Sequence, residues 1–127
     1  MAKKELVNFE KTLLQLKSFL SSPIVDDRDR AGIIQAFEFT FEQCWKAIQK
    51  ISQANGVQVG SPKQAFSAAI QSGWIKASDE DQWLKMIEDR NLTSHTYKME
   101  IAADILSRIQ TNYVSMLDRL LVELASG

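Results

Sequence analysis

The stretch GIIQAFEFTFEQCWKAIQKIS, Gly32 to Ser52, decides the fold. Ile33, Phe37, Phe41, Cys44, Trp45, Ile48 and Ile51 recur at the spacing of one helix face. Gln43, Lys46, Lys50 and Gln53 fall on the opposite side. Asp26 or Asp27 supplies the N-cap of this helix. Asn55-Gly56 stops it, since both residues tolerate left-handed backbone.

The segments on either side carry the same period. Leu6, Phe9, Leu13, Leu16 and Leu20 form one apolar stripe, so a first helix is expected over roughly residues 3 to 20. Ser21-Ser22-Pro23 ends it, because proline pushes the preceding residue out of helical geometry. Ser61-Pro62 reads as a capping serine followed by proline at the first helical position. Phe66, Ala69 and Ile70 form the short apolar face of that helix, and Gly73 closes it. Ser78, followed by Asp79, Glu80 and Asp81, is expected to open the next helix, with acids at the positive end of its dipole. Trp83, Leu84 and Ile87 are its expected buried face. A last helix runs from about Met99 to Ala125 through Ile101, Ile105, Ile109, Met116, Leu120 and Leu124. Leu106, Tyr113, Leu117 and Leu121 widen that stripe, which fits either a central helix or a self-association face.

No segment alternates with period two over a strand's length. The reading is therefore all-α, an up-and-down antiparallel bundle of four long helices plus a short one. With 127 residues, one domain over 1–127 is expected. Hydrophobic residues make up 45% and charged ones 24%, a globular balance rather than a disordered one. Cys44 is the single cysteine, so no intrachain disulfide can form. No signal-peptide core follows Met1 and no run can span a bilayer, so a cytoplasmic protein without membrane contact is expected. The formal net charge is −1, which excludes the broad cationic attraction of a general nucleic-acid binder. RNA would have to meet a local site or a surface built by an oligomer.

One cluster carries chemistry. Arg90 lies seven residues after Trp83 and three after Ile87, at the end of an apolar face. A guanidinium there needs an acidic or anionic partner. His95 is the only histidine. The two converge only if the helix ends or bends between Asn91 and Ser94, and Thr93-Ser94 is a plausible breaker. Together they suit RNA cleavage without metal. A neutral imidazole takes the proton of a ribose 2′-hydroxyl, and the arginine grips the phosphate under attack. Asn91 could orient the histidine or the phosphate. The structural alternative is that Arg90 and His95 merely finish a helix. Tyr97 is either a half-buried anchor or an exposed phenol open to modification.

Glu38, Glu42 and Trp45 share a strip of the second helix. Glu42 borders the core and could pair with Arg90, or the strip is simply solvated. Cys44 lies within the apolar stripe and reads as inert core. No Cys and His cluster suits zinc, and no glycine-rich phosphate loop is present, so neither metal nor cofactor is expected.

At these residues the sequence resembles the HEPN superfamily, and within it the nucleotidyltransferase substrate-binding subfamily to which the HepT toxins are related. Arg90-Asn91-Leu92-Thr93-Ser94-His95-Thr96-Tyr97 matches the Arg-x-x-x-x-His-x-Tyr signature. Phe37-Glu38-Phe39-Thr40-Phe41-Glu42 with Trp45-Lys46, Ser61-Pro62-Lys63, and Trp83 to Asn91 resemble other blocks, in order, over about residues 5 to 122. Lys98 departs from relatives that often carry an acid there. The resemblance implies a homodimer with Arg90 and His95 in a cleft near the interface. It implies a partner nucleotidyltransferase acting as antitoxin, which transfers AMP to Tyr97. Two functions follow from it: a ribonuclease toxin, or a non-catalytic subunit that presents substrate to the nucleotidyltransferase.

Overall fold

The computed structural model describes residues 3–126; Met1 and Ala2, which begin the stretch read for a signal peptide, and Gly127 lie outside them. A 3₁₀ turn, Lys4–Leu6, leads into α1, Val7–Leu20. The long helix α2 spans Asp27–Ala54 and α3 spans Pro62–Gln71. A second 3₁₀ turn, Ala77–Asp79, precedes α4, Glu80–Leu92. A third, Thr93–His95, follows it. The chain ends with α5, Met99–Arg108, a π turn, Ile109–Tyr113, and α6, Val114–Ser126. No strand occurs among the described residues, and the fold is an all-α bundle. Helix α1 packs on α2 and α6, α2 also meets α3 and α5, and α3 meets α4.

Local chemistry sets the boundaries. Asp26, not Asp27, caps α2: its carboxylate accepts from the Asp29 backbone N–H at 3.0 Å, while Asp29 accepts in return from Asp26 N. This is a reciprocal capping box. Ser61 caps α3 with Pro62 at its first position. Gly56 and Gly73 close α2 and the turn after α3 at φ 82° and 80°, a region costly for residues with a Cβ.

Helix α4 departs from expectation in two ways. Ser78 does not cap it; that residue sits inside the 3₁₀ turn, and the helix starts at Glu80 with no side-chain cap. Leu84 is exposed rather than buried, and Ile87 is half-buried. The covered face is Trp83, Met86 and Asp89, in steps of three, so the buried stripe is rotated toward an acid.

The core joins Phe9, Leu13 and Leu16 of α1 to Phe37, Phe41 and Ile48 of α2 and to the last helical run. Phe37 stacks on Tyr113 with centroids 5.6 Å apart, and Phe66 packs on Trp83 at 4.8 Å. Cys44 is wholly buried, and burial pushes its thiol pKa up, so it is inert core as expected. Leu106, Tyr113 and Leu117 are buried within the chain, which accounts for the wide final stripe as that of a central helix. No described helix is long and apolar enough to cross a membrane.

Candidate active site

Three hydroxyl side chains end α4. Thr93 Oγ1 lies 2.7 Å from the Arg90 carbonyl, Ser94 Oγ lies 3.2 Å from that of Asn91, and Thr96 Oγ1 lies 3.2 Å from that of Thr93. Each bond reaches back three residues. Together they favour the tighter 3₁₀ geometry that follows. The chain then turns through a bond from Lys98 N to His95 O, and α5 begins at Met99.

Arg90 sits on the last turn of α4 and projects toward α2. Its partner there is Glu38: Nη1 lies 3.2 Å from Oε2. The same Nη1 donates to Thr93 Oγ1 at 2.9 Å, and that oxygen is 3.0 Å from Glu38 Oε2. The expected need for an acid is met, but not by Glu42. Glu42 accepts from Trp45 Nε1 at 3.2 Å and pairs with Lys46 at 3.3 Å. Glu38 and Glu42 are one turn apart on α2, so the spacing that placed both on one strip could not choose between them.

His95 is exposed at the end of the 3₁₀ turn. Its Nδ1 lies 3.5 Å from Tyr97 Oη, and the two rings meet edge-on at 6.0 Å. Tyr97 is 74% exposed, so the half-buried anchor is not what the fold builds. It borders an open groove of about 510 Å³ whose walls include Arg30, Ile34, Met99 and Ala102. Asn91 is exposed, and among the described residues its side chain bonds neither His95 nor Arg90. Arg90 and His95 likewise share no hydrogen bond. The fold thus gathers Arg90, Thr93 and Glu38 on one side of the turn. It gathers His95 and Tyr97 at its far end.

Beneath this surface lies a feature the sequence did not announce. Asp89, next to Arg90, is fully buried. Its two oxygens accept from Arg108 Nε and Nη2 at 2.6 and 2.8 Å, and one also accepts from Tyr113 Oη. The forked pairing is the geometry in which arginine holds carboxylates best. The hydrogen bond to Asp89 raises the Arg108 pKa. Burial, then the same carboxylate, raises that of Tyr113. The only available signal was an acid in register with Trp83 and Met86.

The chain and its fold have known relatives. Residues 4–126 match the family described as nucleotidyltransferase substrate binding protein like. The chain is 32% identical over 111 residues to a probable ribonuclease HepT of Haemophilus influenzae, covering 80% of this chain and 75% of that one. It superposes on a crystal structure of a Thermus thermophilus protein with a TM-score of 0.83 and 32% identity, over 91% of this chain and 98% of the other. With the Arg90 to Tyr97 signature held on the helix end and turn just described, the chain belongs to the HEPN-type, HepT-like family of nucleotidyltransferase substrate-binding proteins.

Proposed function

We propose that the protein is a metal-independent endoribonuclease of a toxin–antitoxin pair, with Arg90 and His95 as its catalytic groups. The observation that carries this reading is the pair of unoccupied groups at the signature. Among the described residues nothing bonds Arg90 Nε or Nη2, and the Arg90 side chain is 33% exposed. His95 Nε2 is equally free. With the ring proton on Nδ1, directed at Tyr97 Oη, Nε2 keeps a lone pair for a substrate proton. The similarity to a probable ribonuclease HepT supports the same chemistry.

The reaction is a transesterification. His95 Nε2 takes the 2′-hydroxyl proton, O2′ bonds to the adjacent phosphorus, and the P–O5′ bond breaks. The departing 5′ oxygen takes a proton from solvent, and a 2′,3′-cyclic phosphate remains. Arg90 stabilises the charge on the phosphoryl oxygens. Because the two groups do not touch within one chain, we place the working site in a homodimer cleft, where a second copy brings the complementary half. A cytoplasmic nucleotidyltransferase partner then silences it by AMP transfer to Tyr97. The test is cleavage of RNA by the purified chain in EDTA, with analysis of the product ends. Cyclic phosphate termini are expected. No cleavage of any RNA by the folded dimer would favour the second reading, a binding subunit for the nucleotidyltransferase. That reading draws support from the family description and from the Glu38 carboxylate already beside Arg90.

A further inference from the structure

We infer that Asp89 and Arg108 are positioning residues: their forked pair ties the helix that carries Arg90 to the helix that follows Tyr97, and so sets the signature turn between them. The inference rests on the ribonuclease reading and adds two residues to it. Asp89 lies on the last turn of α4, one residue before Arg90, and Arg108 ends α5. They are 19 residues apart, and the whole signature lies between them. The two helices have separate supports: α4 packs on α3, whereas α5 packs on α2. Between these supports the turn has few ties of its own. The side chains of Ser94, His95, Thr96 and Tyr97 bond only within residues 91 to 97. Thr93 alone reaches α2, through Glu38. Where His95 and Tyr97 stand relative to Arg90 therefore depends on how α4 and α5 are set against each other. Among the described residues, the bonds to Asp89 are the only side-chain hydrogen bonds that join α4 to α5 and the π turn.

The tie is directional. Asp89 is fully buried, so water does not compete for its oxygens. Arg108 Nε and Nη2 meet them at 2.6 and 2.8 Å, two bonds that fix an angle as well as a distance. The Tyr113 hydroxyl donates a third bond, and its ring stacks on Phe37 of α2, which refers the carboxylate to the core. Stability alone does not account for such a pair. Well-packed apolar side chains in place of a buried ion pair often hold a fold as well or better. An apolar contact is non-directional, however, and lets two helices slide against each other. A shift of about an ångström between His95 and the phosphate held by Arg90 is enough to lower a rate on the order of a hundredfold.

Two variants of the full chain test this. Arg108→Lys keeps a charge beside Asp89 and loses the fork. The triple variant Asp89→Leu, Arg108→Leu, Tyr113→Phe removes the polar tie without stranding a buried charge. The first measurement needs no RNA: amide hydrogen exchange read by mass spectrometry. In both variants, peptides spanning residues 90–102 should exchange about 10-fold faster, while peptides spanning 33–48 keep the parental rate. Parental exchange over 90–102 would overturn the tie. So would faster exchange in both places together, which is the mark of global destabilisation. The second measurement is RNA cleavage, well below the unfolding midpoint of each variant. In both, kcat should fall about 10- to 100-fold with KM little changed. Parental kcat in the triple variant would overturn positioning and leave the cluster a purely structural one. If the triple variant does not fold, Arg108→Lys decides by the same criteria. If the parent cuts no RNA, the ribonuclease reading fails, and the exchange measurement still decides whether the tie sets the turn.

Discussion

Arg108 and Tyr113 reach the same carboxylate, Asp89, from the two ends of one π turn. In a regular α-helix, residues five apart point about 140° from each other. The π turn closes a loop from i to i+5 and brings the fifth residue back over the first. One inserted helical irregularity thus lets two donors from the last helical run satisfy a buried acid on α4. Asp89→Ala would strand Arg108 and the Tyr113 hydroxyl and should cost about 3–5 kcal/mol in urea unfolding. A loss below about 1 kcal/mol would mean that water or rearrangement replaces the network easily.

The same cluster predicts an alkaline signature. Burial and the Asp89 bond raise the Tyr113 pKa above its ordinary value. Folding therefore favours the protonated phenol. That contribution is fully present below the unfolded value of about 10 and is lost as pH rises through the higher folded value. The stability gap between the parent and Tyr113→Phe should be constant from pH 7 to about 9 and narrow above about 10. A gap that stays flat to pH 11 would show that the phenol does not titrate differently in the two states.

The sequence carried the helices clearly because their apolar residues kept one period: Phe9, Leu13 and Leu16, or Phe37, Phe41 and Ile48, are buried where the stripes placed them. It failed where a polar residue took a core position. Asp89 follows the spacing of Trp83 and Met86, but hydropathy assigns an acid to solvent. The donors that make its burial tolerable lie 19 and 24 residues away. Ser78 has the right chemistry for a cap, and only the extra 3₁₀ turn shows why it is unused. At the site, Thr93-Ser94 was legible as a break because hydroxyls bond backward locally. The choice of Glu38 over Glu42 was not, since it depends on a contact with Thr93 across 55 residues.

Substitution of the proposed catalytic pair should separate function from folding. Arg90 is partly exposed and His95 exposed, so neither Ala variant should change the helical circular dichroism. Each should lower RNA cleavage at least about 100-fold, the usual loss for a general base or a charge-stabilising group. If both variants cut like the parent, the assignment of the pair is wrong.

Assembly is the next requirement. Met99, at 68% exposed, leaves an apolar side chain beside the signature that a second copy would cover. Light scattering at micromolar concentration should give twice the 14.4 kDa chain mass. Met99→Lys should shift the protein toward monomer and reduce cleavage in parallel. A monomeric parent that still cleaves would eliminate the shared cleft.

The last prediction concerns control through Tyr97. Its hydroxyl is exposed and lies 3.5 Å from His95 Nδ1, so a group attached there stands at the proposed base. In the transfer, Tyr97 Oη bonds to the α-phosphorus of ATP, the bond to the β-phosphate bridge breaks, pyrophosphate leaves, and the phenol proton passes to the nucleotidyltransferase. The adduct brings a phosphate that can compete for the Arg90 guanidinium. It also brings a nucleoside that the adjoining groove of about 510 Å³ has room to accept. Modification should therefore silence cleavage without unfolding the bundle. Tyr97→Phe keeps the ring and lacks the acceptor oxygen. In the presence of the nucleotidyltransferase and ATP it should go on cutting RNA while the parent stops. Intact mass should show the parent gaining AMP and Tyr97→Phe gaining nothing, with peptide mapping to locate the adduct. An adduct on another residue, or full silencing of Tyr97→Phe, would reject this control while leaving Arg90 and His95 to be judged by their own variants.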